Sequence, residues 1–174
     1  MKKNPLYSIL YSLFLVFCIM FFETKSKNQT KKLAKLLCQT VLRKKNPSNA
    51  LVFALSGDLG AGKTTFVQGF ISGAGIKKRV ISPTFVLIKT YKLKNLKTYK
   101  LIHHIDCYRI KKAKELLSLG LKEILKDPKN IVLIEWPEII KKYLPAGKAG
   151  LPKNIIQIKF EHGEKINERI IELK

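Results

Sequence analysis

Eight consecutive residues, Gly57-Asp58-Leu59-Gly60-Ala61-Gly62-Lys63-Thr64, carry the spacing GxxxxGK[ST]. Glycines at these positions let the backbone curl so that successive N–H groups point inward, where they bind phosphate oxygens. A helix starting at Lys63 adds unpaired N–H groups and the positive end of its dipole. Lys63 is long enough to reach the β- and γ-phosphates of a nucleotide, and the Thr64 hydroxyl is a ligand for Mg2+. The bland alternative is an ordinary glycine turn. At average glycine usage a chance match in a chain this size is on the order of 1%. Context lowers that further, because an apolar run leads in and a helical pattern leads out. A phosphate loop also needs a carboxylate across the sheet to hold the metal or its water. Two candidates, Asp106 and Glu135, each end a strand-like run. Strand C-termini are where open α/β sheets bind ligands. Either one alone is compatible with an ordinary surface carboxylate. Both at strand ends, in a chain with 12 acidic residues, point to one site. His103 and His104 sit beside this point, but alternation along a strand sends them to opposite faces, which argues against a two-histidine metal site.

These residues need elements to hold them. Thr30 reads as the N-cap of an amphipathic helix over 31–45, with Leu33, Leu36, Leu37, Thr40 and Val41 on its apolar face. Residues 46–49 read as a turn, and 50–56 as a continuously apolar, buried parallel strand. A helix over 63–72 ends at Gly73-Ala74-Gly75, and a loop around a short strand follows over 76–82. Strands over 85–93 and 97–106 form an antiparallel hairpin. A helix over 115–125 tolerates Gly120; 131–135 is another buried strand, and 155–160 and 168–173 are two C-terminal strands. Residues 144–152, with Leu-Pro at both ends, read as an insertion in a surface loop. The sum is an α/β fold, P-loop NTPase-like and three-layered, with a mixed, mostly parallel sheet and antiparallel hairpins.

The N-terminus is ambiguous. Residues 6–22 are a run of 17 that is apolar apart from Ser8 and Ser12, with Lys2 and Lys3 before it. It reads as a signal peptide, as a short membrane anchor, or as upstream sequence preceding a true start at Met20. The third reading is preferred, because residues from Met20 on already read as strand, turn and helix; export is disfavoured because the loop needs ATP. It divides the chain into a 1–21 extension and a single P-loop ATPase domain over 22–174, in the cytoplasm. The length of 174 residues suits one domain. Three scattered cysteines exclude a disulfide framework and a cysteine zinc site. The net charge is +22, which points to acidic partners, although a lysine-rich coding bias accounts for much of it. Between Asp58 and Asp106 there is no acidic residue and there are nine basic ones. The region over 77–100 is therefore a candidate for direct contact with nucleic acid.

Four motifs occur in order: GDLGAGKTT, then Ser82-Pro83-Thr84-Phe85, then His104-Ile105-Asp106-Cys107-Tyr108-Arg109, then Ile134-Glu135-Trp136-Pro137-Glu138. Together they resemble the TsaE (YjeE) family of tRNA threonylcarbamoyladenosine biosynthesis ATPases, over about 22–174. The resemblance implies a Mg-dependent ATPase in the N6-threonylcarbamoyladenosine modification of adenosine 37 in tRNA, acting with the partner proteins TsaB and TsaD. It implies that Gly60 to Thr65 hold the phosphates, that Thr64 and Glu135 hold Mg2+, and that Asp106 is a second essential carboxylate. It implies a switch-like loop at Ser82-Pro83-Thr84, with Thr84 near the nucleotide, and Trp136 beside it. Thr30 and Arg169 are weaker expected contacts, from the N-terminal turn and the C-terminal hairpin. Two other readings stay open: a P-loop small-molecule kinase and a membrane-anchored nucleotide-binding protein. A kinase of this kind needs an arginine-bearing lid, and the chain holds four arginines and no lid-sized insertion.

Overall fold

The computed structural model describes residues 19–43, 48–78, 80–83, 86–94, 96, 98–112, 114–143 and 154–174. Several expectations lie outside them: most of the apolar 6–22 run, part of the turn over 46–49, Thr84, Phe85 and the 144–152 insertion.

The chain order is β1 (Met20–Thr24), α1 (Lys27–Val41), β2 (Leu51–Gly57), α2 (Lys63–Gly73), β3 (Ile88–Lys92), β4 (Leu101–Asp106), α3 (Lys114–Ser118), α4 (Leu121–Lys126), β5 (Asn130–Glu135), a 3₁₀ helix (Pro137–Tyr143), β6 (Ile155–His162) and β7 (Arg169–Leu173). The strands form one sheet in the order β1-β7-β6-β2-β5-β4-β3. The central β6-β2-β5-β4 strands are parallel. Antiparallel pairs, β1-β7, β6-β7 and β3-β4, finish the two margins.

Period-two alternation sorts the central strands into two cores. Phe53 and Leu55 of β2, with Ile131 and Leu133 of β5, face α1 and α2. Val52, Val132 and Ile134 point the other way, onto Leu116, Leu121, Leu125 and Ile140. The result is helix, sheet, helix. The α2 side is packed by aromatic edges: Phe53 and Phe70 centroids are 4.8 Å apart, and those of Phe66 and Phe160 are 5.5 Å apart. The α1–α2 contact depends on two glycines one turn apart. A Cβ on Gly69 would strike the Lys31 backbone, and one on Gly73 would lie 2.8 Å from the Lys35 carbonyl oxygen. Any side chain there pushes the helices apart and lifts the phosphate-loop helix from its support.

Five expectations on elements change. Helix α1 starts at Lys27, capped by Ser26, whose hydroxyl accepts from the Gln29 N–H at 3.3 Å. The Gln29 side chain in turn accepts from the Lys25 N–H at 2.6 Å. Ser26-x-x-Gln29 is thus close to a capping box. Thr30 is therefore not the cap but a buried residue inside the first turn, its hydroxyl 2.8 Å from that of Thr24. The helix also ends at Val41 rather than 45. Gly120 is not tolerated inside one helix: at φ +80 it separates α3 from α4. Strand β3 begins at Ile88 rather than 85, because Val86 and Leu87 N–H groups both turn back to the Pro83 carbonyl and Leu87 takes φ +60. Strand β4 begins at Leu101 rather than 97.

Candidate active site

The site lies at the C-terminal ends of β2, β4 and β5. Strand β2 delivers the chain to Gly57, whose φ of +129 turns it into the loop. A Cβ there would collide with the Phe160 carbonyl. Gly60 and Gly62 also have positive φ, +78 and +105, so the loop curls as its glycines predict. Ala61 is buried as its foot, while Asp58, Leu59 and Gly60 are exposed. Gly62 is the N-cap of α2 and offers no side chain, which leaves the first N–H groups of α2 without a capping side chain.

Lys63, the first residue of α2, is 4% exposed. Its ammonium donates to the Gly57 and Asp58 carbonyls at 2.5 and 2.7 Å. It also lies 3.9 Å from the centre of the Trp136 ring. Burial pushes this ammonium below the ordinary lysine range, while Glu135, Asp58, Glu138 and Asp106 pull the other way. Trp136 holds its place with φ +58, a left-handed conformation that a bulky residue rarely takes. Its ring also meets Tyr108 at 5.2 Å.

The two carboxylates are brought together by register. Asp106 and Glu135 are direct partners across the β4–β5 ladder, and both lie on the α2 side of the sheet. Thr64 donates its hydroxyl to Glu135 Oε2 at 2.8 Å, and His104 Nε2 lies 2.8 Å from Glu135 Oε1. A carboxylate only accepts, so the second contact needs the imidazole proton on Nε2. His104 is fully buried and its Nδ1 has no partner among the described residues. On Asp106, Oδ1 accepts from the Tyr108 N–H at 3.0 Å and Oδ2 from the Ser82 hydroxyl.

A cleft of about 360 Å³ unites these groups, lined by Gly60, Gly62, Lys63, Thr64, Thr65, Ser82, Asp106, Glu135 and Trp136, with Lys27, Leu59 and Tyr108 at its sides. Thr30 and Arg169 line a smaller adjoining cavity with Lys27, Gly60, Gly62, Thr65 and Asn167. Arg169 donates to the Gly60 carbonyl at 3.0 Å, so β7 braces the phosphate loop from outside. The Thr30 hydroxyl is engaged by Thr24. Thr84 lies outside the described residues. Sequence reasoning left out His104, Lys27 and Tyr108 as site residues, and named Ser82 only as part of a switch-like loop. For His104 the signal existed: two residues before Asp106 on a strand, it must share that carboxylate's face.

Oxygen donors suit Mg2+, and Thr64 and Glu135 present two, already adjacent. Among the described residues no group of three or more His, Cys, Asp or Glu side chains could hold a metal by itself. A Mg2+ here would take its remaining ligands from phosphates and water, its usual habit.

A curled glycine loop between a central parallel strand and a helix, faced by strand-end carboxylates, defines a P-loop NTPase-like α/β protein. The family model described as "Threonylcarbamoyl adenosine biosynthesis protein TsaE" matches residues 24–171, and the chain belongs to that family. A tRNA threonylcarbamoyladenosine biosynthesis protein TsaE from Rickettsia conorii is 45% identical over 120 residues, which are 68% of this chain and 62% of that protein. The relative of the same name from Bacillus subtilis is 40% identical over 124 residues, 71% of this chain and 70% of that one. The match thus spans less than two thirds of the Rickettsia conorii protein, and 63% of its Rickettsia felis counterpart. The crystal structure of Bacillus subtilis YdiB aligns with a TM-score of 0.60 at 29% identity, covering 90% of this chain and 84% of that one.

Proposed function

We propose that the protein is a Mg-dependent ATPase of the tRNA N6-threonylcarbamoyladenosine machinery, working with TsaB and TsaD in the cytoplasm. The observation that carries the reading is the contact between Thr64 on the phosphate-loop helix and Glu135 across the sheet, with Asp106 beside it in register. The biosynthetic role follows that of its relatives, which are named as tRNA threonylcarbamoyladenosine biosynthesis proteins. Partners, metal and hydrolysis belong to the proposal.

The residues divide the work by position. Loop N–H groups from Gly60 to Thr65 receive phosphate oxygens, with the α2 dipole behind them. Lys63 supplies the counter-charge. Its present partners are two carbonyls and an indole face, which phosphate oxygens replace at a net gain because an anion is the stronger acceptor. Mg2+, held by Thr64 and Glu135, would neutralise charge on the phosphates. Asp106 holds and orients the water that attacks the γ-phosphorus; the P–O bond to the leaving ADP breaks and inorganic phosphate departs. Ser82 and the Tyr108 N–H fix that carboxylate in place.

Trp136 is the chain's single tryptophan, and it covers the very ammonium that must turn to the phosphates. Titrating the full chain with Mg·ATP is therefore expected to change its intrinsic tryptophan fluorescence saturably. A flat emission signal, with no nucleotide retained by calorimetry either, contradicts the site assignment. Among the described residues no helix is long and apolar enough to cross a membrane.

A further inference from the structure

At the far end of α2 from the phosphate loop lies a second, larger groove of about 920 Å³. Its walls are the segment after α2, from Ala74 to Lys78, and the edge strand β3 with its continuation to Lys94. It shares no lining residue with the nucleotide cleft. The eleven residues of α2 separate the two by about 16 Å. Five lysines line it: Lys77, Lys78, Lys89, Lys92 and Lys94.

The arrangement of charge, rather than its amount, distinguishes this groove. The surface lysine–carboxylate pairs of the described residues, Lys25–Glu23, Lys159–Glu161, Lys165–Glu168 and Lys174–Glu172, all sit at the β1-β7-β6 end of the sheet. None of the ion pairs involves Lys77, Lys78, Lys92 or Lys94, and no acidic residue occurs between Asp58 and Asp106 to form one. A lysine-rich composition accounts for many lysines but not for their separation from the acids. Edge-strand lysines also discourage sheet-to-sheet pairing, which would explain Lys89 and Lys92. It does not explain Lys77 and Lys78, which follow a helix. Unpaired ammonium groups crowded along a groove repel one another, and the arrangement is stabilised when a polyanion enters.

We infer that this groove binds the phosphodiester backbone of folded RNA. The choice of RNA among polyanions rests on the proposed role in tRNA modification. A groove suits a phosphate ridge better than a planar membrane. Lysines are point charges without the planar fork that reads a base edge, and Tyr91, the groove's aromatic residue, is buried rather than free to stack. Recognition is therefore by charge and shape, independent of base sequence, and it is strongly salt-dependent.

The test is fluorescence anisotropy of a fluorescein-labelled, unmodified tRNA transcript titrated with the full chain at several KCl concentrations. A quadruple variant, Lys77→Ala, Lys78→Ala, Lys92→Ala and Lys94→Ala, is compared with the parent. The affinity is expected to fall at least ~10-fold at low salt, and the slope of log affinity against log salt to shrink by about one for each lysine removed. The Trp136 response to Mg·ATP stays unchanged, which shows that the variant is folded and separates this inference from the ATPase reading. Unaltered affinity and slope in the variant overturn the inference. So does tighter binding of poly-glutamate than of the transcript at matched charge, which would give the groove to an acidic protein instead.

Discussion

Replacing Lys63 with alanine abolishes nucleotide binding at concentrations that saturate the parent. The ammonium is buried beside the loop, in the cleft where the proposed function places the phosphates. Charge-assisted hydrogen bonds contribute about 1.5–3 kcal/mol each. Losing a pair of them costs about 3–6 kcal/mol, or roughly 10²- to 10⁴-fold in affinity. The fold survives, because the lysine's partners are two loop carbonyls that water can reach once the side chain is gone, and because burying a cation is itself unfavourable. Calorimetry with Mg·ATP measures the loss, and a melting temperature close to the parent's rules out unfolding. A variant that binds Mg·ATP as tightly as the parent contradicts the placement of the γ-phosphate at Lys63.

The carboxylates behave differently. Asp106→Ala and Glu135→Ala keep much of the binding and lose turnover, by at least ~10² each, the usual scale for a group that positions a reacting water or proton. The two separate by their metal response. Glu135 accepts from Thr64, so its loss weakens Mg2+ dependence, whereas Asp106 accepts from the Ser82 hydroxyl and the Tyr108 N–H, and its variant titrates with Mg2+ like the parent. Glu135→Ala also strands the buried His104 imidazole, which costs about 1–3 kcal/mol of stability. Glu135→Gln retains a hydrogen-bonding oxygen for His104 and still fails in turnover. Normal hydrolysis in both alanine variants removes the basis for the mechanism.

Much of this site was legible because each part has a short-range signature. The loop announces itself by glycine spacing. Strands β2 and β5 are apolar on both faces, as only a doubly covered parallel strand is. Asp106 and Glu135 stand at the ends of such runs. What alternation does not specify is which strands are neighbours, so the register that sets Asp106 against Glu135 emerges only from the fold. The contacts of Ser82 and Arg169 span 24 and 109 residues of sequence, and no local pattern encodes them. Helix boundaries failed for a different reason. Ser26 and Thr30 are both competent caps, and the choice was decided by packing, since Thr30 is needed inside to meet Thr24. Gly120 had two permitted roles, and its positive φ selected the break.

The most direct measurement is ATP turnover by the full chain, alone and with its cognate TsaB and TsaD proteins. The proposed function predicts slow hydrolysis alone and clear stimulation by the pair, abolished by Lys63→Ala. Nucleotide bound at the same site without any stimulation by the pair contradicts the modification role and leaves a P-loop nucleotide-binding protein with another task.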